Sequence, residues 1–274
     1  MLKYLNTKGA FFDPVEELSK QYQSANPFPH IVIDDFFNED FLDKILTNFP
    51  NLKKQEEGED TKNFDDKTGI KIASKGERLF DENSKELMHF LNSEEFLIWL
   101  QELTGIKESL IPDPYFNGGG FHEISKGGFL KIHADYNYHP ETKLDRRLNL
   151  LIYLNKDWKE SYGGHLELWS RAMSKCEKKI LPIFNRAVIF STLSDSHHGH
   201  PEPLMCPEEV TRKSIALYYF SNGRPRDEIK DAHTTIYRKR PGSEDLGLDI
   251  KEIIKLLVPP ILLPSTIRKL FRNK

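Results

Sequence analysis

The sequence predicts a mainly β protein with flanking helices, built around a two-sheet jelly roll, and three observations predict it. From residue 129 onward the chain falls into short β-rich runs: FLKIHADY, RLNLLIYLN, GHLELWS, ILPIF, RAVIFST and RKSIALYYF. Gly, Pro, Asp and Asn separate them, residues that punctuate strands rather than continue them. No long helical pattern lies between the runs, which argues for antiparallel pairing rather than βαβ units. A two-sheet jelly roll is the economical way to gather many short strands around one core.

The elements ahead of this region read as support. Residues 29–33 (PHIVI) form a short β-branched strand bounded by Pro29 and the acidic pair Asp34–Asp35. Asn38 can cap a helix whose apolar positions Phe41, Leu42, Ile45, Leu46 and Phe49 recur at helical spacing until Pro50 ends it. A second helix is predicted from Ser93, with Phe96, Leu97, Leu100 and Leu103 on one face and Gly105 as its stop. Between them, residues 51–77 are dense in Lys, Glu and Asp, which predicts a solvated loop, and a loop of that length is also a candidate active-site lid.

We expect residues 1–235 to hold the helical support and the β core. Residues 236–274 are then a C-terminal extension, basic and apolar, that packs on the core or on a partner. Its last part, 251–274, carries a net side-chain charge of +5. Such a segment is a candidate for peripheral membrane contact, although Pro259, Pro260 and Pro264 forbid one continuous amphipathic helix. The formal charge of −3 gives no electrostatic reason to expect nucleic acid. No apolar leader and no bilayer-length apolar run stand out. The two cysteines, Cys176 and Cys206, make no disulfide framework and no zinc-finger spacing. A cytoplasmic monomer or homodimer is the expectation.

Candidate chemistry begins at His133-Ala134-Asp135. On a strand, residues i and i+2 point to the same face, so an imidazole and a carboxylate stand side by side. Two histidines and one carboxylate with open positions are the ligand set of non-haem iron(II) oxygenases. A further histidine is available after the run RAVIFST, where the segment SDSHHGHPEP offers His197, His198 and His200. The next run begins at Arg212, which shares a strand face with Ser214. A guanidinium on a core-facing position calls for an anion, and a carboxylate pairs with it bidentately while Ser214 adds a hydroxyl.

In order, the motifs are His133–Asp135, Tyr153-Leu154-Asn155-Lys156-Asp157-Trp158, Gly163-Gly164-His165-Leu166, Asn185–Phe190, His198 and Arg212–Ser214. With the opening PFPHIVIDDFF, this order resembles the prolyl 4-hydroxylase-like branch of the Fe(II)/2-oxoglutarate dioxygenases over residues 27–225. The resemblance implies a double-stranded β-helix, the cupin-like form of the jelly roll. It implies iron(II) at His133, Asp135 and His198, and 2-oxoglutarate anchored by Arg212, with Ser214 and Tyr153 beside it. Ascorbate enters as a candidate reductant. The implied reaction is hydroxylation of an unactivated C–H bond with release of succinate and carbon dioxide, on a small-molecule or peptidyl substrate such as a prolyl residue. An acid at Asp135 occupies the position that a halide would need, so hydroxylation is favoured over halogenation. One departure stands out. Members of this branch carry a tyrosine about ten residues before the first metal histidine, where this chain has His122-Glu123-Ile124. The rival readings are a non-catalytic, lectin-like jelly roll, in which His133 and Asp135 are incidental, and a cupin-shaped zinc hydrolase. The second leaves Arg212 and Ser214 without a task.

Overall fold

The computed structural model describes residues 2–245. The chain begins with α1 (Val15–Ser24), β1 (His30–Ile33) and α2 (Glu39–Thr47). Asn38 caps α2 as its position predicts, its Oδ1 accepting the Phe41 N–H at 3.0 Å. Phe41, Leu42 and Ile45 give this helix its buried face.

The stretch 51–77 corrects the sequence reading. It contains a hairpin, β2 (Thr61–Asp66) and β3 (Gly69–Ser74), closed by Asp66, whose Oδ1 accepts the N–H of Thr68 and of Gly69 at 2.7 and 3.2 Å. The physical reason is the hairpin's place at an edge. Only β3 meets the rest of the sheet, burying the small Ala73 and Ser74, while β2 lies outermost and can carry lysines and acids in water.

Two helices follow, α3 (Glu82–Leu91) and α4 (Glu94–Thr104). Ser93 precedes α4 and Gly105 ends it at φ 74°, as expected, although the Ser93 side chain makes no capping hydrogen bond. The sequence reading did not single out α1 or α3. The remaining strands are β4 (Ile111–Pro112), β5 (Gly120–Ile124), β6 (Leu130–Ala134), β7 (Asp145–Tyr153), β8 (Leu166–Trp169), β9 (Cys176–Ile180), β10 (Arg186–Ser191), β11 (His198–His200), β12 (Arg212–Ser221) and β13 (Ile236–Tyr237).

They form one antiparallel sheet in the order β1-β10-β7-β12-β5-β3-β6-β11-β8-β9, with β2 on β3, β4 on β12 and β13 on β6. The first six strands make a large half and the last four a small half. They join where Gly69 of β3 pairs with Leu130 of β6. Phe28, Tyr153, Leu166, Leu168, Ile180, Val188 and Phe190 form one buried cluster, so β8 and β9 lie against β7 and β10. This is the mainly β jelly roll that the strand rhythm predicts.

Alternation then sorts the chemistry. On β7 and β12 the residues Leu148, Leu150, Ile152, Ile215, Leu217 and Tyr219 belong to the cluster that packs the helices. Their neighbours Asn149, Tyr153, Arg212 and Ser214 face the other way, between the two halves. The first residues of the C-terminal extension add β13 to β6, and Asp245 pairs with Lys131 at 2.6 Å. The tail 251–274, and with it the membrane-contact expectation, lies outside the described residues. Among those described, no helix is long and apolar enough to cross a membrane. Both cysteines are free.

Candidate metal centre

The site is built where β6 meets β11. His133 lies near the end of β6, Asp135 just past it, and His198 opens β11 directly opposite His133. The rings of His133 and His198 lie 4.5 Å apart, centroid to centroid. Asp135 Oδ1 is 3.5 Å from His133 Nε2, and Oδ2 is 3.4 Å from His198 Nε2. One donor atom from each residue lies within 4.8 Å of the others, close enough to hold one metal ion. Gly199 lets the strands come this close. A Cβ there would meet the carbonyl oxygens of Leu130 and Lys131 at 2.7 and 2.8 Å.

Backbone carbonyls fix the tautomers. The His133 Nδ1–H donates to the Lys131 carbonyl at 2.8 Å, and the His198 Nδ1–H donates to the Ser196 carbonyl at 2.9 Å. A carbonyl can only accept, so both Nε2 atoms carry lone pairs turned toward Asp135. Burial pushes the His198 pKa down to about 4, which keeps that lone pair available at neutral pH. At Asp135 burial pushes the carboxyl upward, but Arg146, then His198 and His133, outweigh it and hold the group well below the usual carboxylate range.

Arg146 and Asn149 were missed in the sequence. Arg146 Nη2 and Asn149 Nδ2 both donate to Asp135 Oδ2, at 3.0 and 2.7 Å. Asn149 Oδ1 in turn accepts from Arg146 Nε and Nη2 at 3.1 and 2.7 Å. The Arg146 guanidinium stacks on Tyr218 at 3.6 Å and on Tyr136 at 4.4 Å. Strict alternation puts residues 146 and 149 on opposite faces. A register shift between β7 and β12, where Leu148 faces Tyr219 but Arg146 faces Phe220, brings them together.

The other end of the site is cationic. Arg212 is buried, and burial pushes its pKa down against the pull of Tyr153. Its Nε donates to the Gly164 carbonyl at 2.9 Å, and its Nη groups carry no carboxylate partner among the described residues. Tyr153 and Ser214 are directly opposed on β7 and β12, and the Arg212 guanidinium lies 4.9 Å from the Tyr153 ring. Among the described residues the buried Tyr153 hydroxyl and both ring nitrogens of His200 make no hydrogen bond of good geometry. Such orphaned groups around an unpaired guanidinium suit an anionic ligand. His122, in the stretch where the branch carries its tyrosine, faces Ser214, and its Nε2–H donates to the Gly118 carbonyl at 3.0 Å.

The remaining motif residues brace this end. Asn155 Oδ1 accepts the Lys213 N–H at 2.6 Å and its Nδ2 donates to the Lys213 carbonyl at 3.1 Å, which fixes the start of β12 beside Arg212. Trp158 Nε1 donates to the Gly163 carbonyl at 3.0 Å. Gly164 sits at φ 72°, and a Cβ on it would meet Arg212 Cδ at 3.1 Å. Asn185 Oδ1 accepts the Phe37 N–H and its Nδ2 donates to the Phe37 carbonyl, both at 2.9 Å, tying β10 to the N-terminal layer.

Residues 119–220 match the 2OG-Fe(II) oxygenase superfamily. The chain is 27% identical over 189 residues to the prolyl 3-hydroxylase OGFOD1 of Xenopus laevis, an alignment of 65% of this chain and 32% of that protein. The chain thus spans about a third of the relative's length. Its fold is similar to a Pseudomonas putida prolyl-4-hydroxylase, with TM-score 0.55, 13% identity, and coverage of 77% of this chain and 100% of that one. It is also similar to a Trichoplax adhaerens prolyl hydroxylase solved with a hypoxia inducible factor peptide fragment. There the TM-score is 0.54 at 21% identity, covering 76% of this chain and 90% of that one.

Proposed function

We propose, for a chain that carries a 2OG-Fe(II) oxygenase superfamily domain over residues 119–220, that the molecule hydroxylates an unactivated C–H bond of a prolyl residue in a peptide. Iron(II) is held by His133, Asp135 and His198, and 2-oxoglutarate is anchored through its distal carboxylate by Arg212, with Ser214 and Tyr153 beside it. The observation that carries this reading is the pairing of two inward-turned Nε2 lone pairs and a carboxylate with a buried guanidinium that has no carboxylate partner among the described residues. The donor set fits a non-haem iron(II) with open positions, and the orphaned polar groups around Arg212 fit a dicarboxylate.

When bound, iron(II) with 2-oxoglutarate and dioxygen supplies the oxidising chemistry and releases succinate and carbon dioxide. The chain's own part is positioning. The carbonyls of Lys131 and Ser196 hold the two imidazoles in one tautomer. Arg146 and Asn149 grip Asp135 Oδ2, which leaves Oδ1 free of their hydrogen bonds. Phe190, fully buried and 4.6 Å from the His198 ring, keeps the protein side of the site dry. The names of the relatives, prolyl 3- and 4-hydroxylases, support the prolyl substrate.

The test is succinate formation in the presence of iron(II), 2-oxoglutarate and proline-containing peptides, read with mass spectrometry of the peptides. The expected result is metal-dependent succinate, stimulated by a peptide that gains one oxygen on a prolyl ring. Absence of succinate under all conditions would refute the enzyme class. Succinate with no peptide modified would refute the substrate.

A further inference from the structure

Besides Arg212, a second cation at the site has no carboxylate partner among the described residues, and it comes from the β2–β3 hairpin. Ala73 of β3 pairs with His122 of β5, and His122 pairs with Ser214 of β12. Directly opposed residues share a face, and so do residues two apart on a strand. Lys71 therefore points the same way as Ala73, His122, Ser214 and Arg212. Its side chain is partly buried, and its ammonium lies 4.8 Å from the ring of Phe64, its cross-strand partner. Lys62, two residues before Phe64, places a second ammonium 4.8 Å from the same ring.

Among the described residues no carboxylate pairs with Lys71. Asp135 is held by Arg146 at 3.0 Å. Glu123 points to the opposite face, accepting the Leu52 N–H and the Thr211 hydroxyl. Asp66, at the tip of the hairpin, holds the turn. Three cations, Lys71, Arg146 and Arg212, thus face a site whose own carboxylate is Asp135. Burial holds the Lys71 ammonium down to about 8, against the pull of Asp135 and with the push of Arg146 and Arg212. A carboxylate brought by a ligand would relieve that cost.

We propose that Lys71 is a second carboxylate anchor of this pocket, distinct from Arg212, which selects for a ligand carrying a carboxylate on the hairpin side of the site. The proposal rests on the reading of the pocket as a 2-oxoglutarate site. Two ligands offer the group: 2-oxoglutarate, through the end that Arg212 does not hold, or a substrate with its own carboxylate near the reacting carbon.

Anaerobic calorimetry on the iron(II)-loaded full chain separates them, using wild type, Lys71→Met and Lys71→Arg. The first titrant is 2-oxoglutarate. The second, added at saturating 2-oxoglutarate, is the tripeptide Gly-Pro-Gly with a free C-terminal carboxylate, compared with its C-terminal amide. If Lys71 takes the co-substrate, Lys71→Met weakens 2-oxoglutarate at least about tenfold and Lys71→Arg recovers most of it. If Lys71 takes the substrate, 2-oxoglutarate stays within about twofold, while wild type prefers the free acid to the amide by about tenfold and Lys71→Met loses that preference. The proposal is overturned if Lys71→Met leaves 2-oxoglutarate unchanged and wild type does not distinguish acid from amide. A wild type that binds no 2-oxoglutarate at all would overturn the functional reading instead, a separate and recognisable outcome.

Discussion

Asp135 keeps 12% side-chain exposure and takes two hydrogen bonds on one oxygen, from Arg146 and Asn149. Residues that orient a ligand in this way typically change metal affinity by about 10–100-fold when removed. Arg146→Gln should therefore weaken binding of iron(II) by that order in a direct titration, and an unchanged affinity would deny Arg146 its role. His122 gives a second prediction. Burial, then Lys71, pushes its pKa well below the ordinary 6.5. As pH falls below about 6.5 the unfolded chain takes up a proton that native His122 refuses, so stability is lost toward acid and not toward base. Each such group contributes up to about 1.4 kcal/mol per pH unit. His122→Gln should flatten the decline of the urea midpoint between about pH 6.5 and 5, and an equal decline in both proteins would contradict the assignment. At this scale His133, Asp135, Arg212 and Ser214 were legible because strand alternation alone aligns them in pairs. Arg146 was not, because a register shift, which leaves no mark in a string of residues, turns it onto the face of Asn149.

The strand β11 has three residues, and its value lies in how closely it approaches β6. Adding a methyl group at Gly199 sets a Cβ against two backbone carbonyls, which cannot rotate away. Gly199→Ala should cost about 1–3 kcal/mol of stability and reduce metal affinity together, measured by urea denaturation and iron titration. Loss of neither would mean that the approach of β11 to β6 is not what fixes His198. The β-rich runs after residue 129 were readable because they are rich in β-branched, aromatic and other apolar residues and are bounded by Gly, Pro, Asp and Asn. The β2–β3 hairpin was not, since an edge strand in water has the same polar composition as a loop. For the same reason Lys71 looked like one charge among many on a solvated segment. Helix α3 was also passed over, although its buried face of Leu87, Met88, Phe90 and Leu91 is apolar, because it follows directly on that charged stretch.

For the whole molecule, ligands that bind only the native state raise stability by mass action, about 2.7 kcal/mol at a hundredfold excess over Kd. If iron(II) must be in place before 2-oxoglutarate, the melting midpoint should rise with iron(II), rise again with 2-oxoglutarate, and return to the apo value with a chelator. A rise with 2-oxoglutarate alone equal to that with both would contradict the order. The jelly roll was legible as an architecture from the rhythm of short strands. How its two halves face each other was not, since Gly69 opposite Leu130 is a pairing between residues 61 positions apart. The central claim is the triad of His133, Asp135 and His198, and the most direct test is the iron(II) stoichiometry of wild type beside the His198→Ala and His200→Ala proteins. The account predicts one iron per chain in wild type and in His200→Ala, and none in His198→Ala. Iron retained by His198→Ala, or lost from His200→Ala alone, would contradict it.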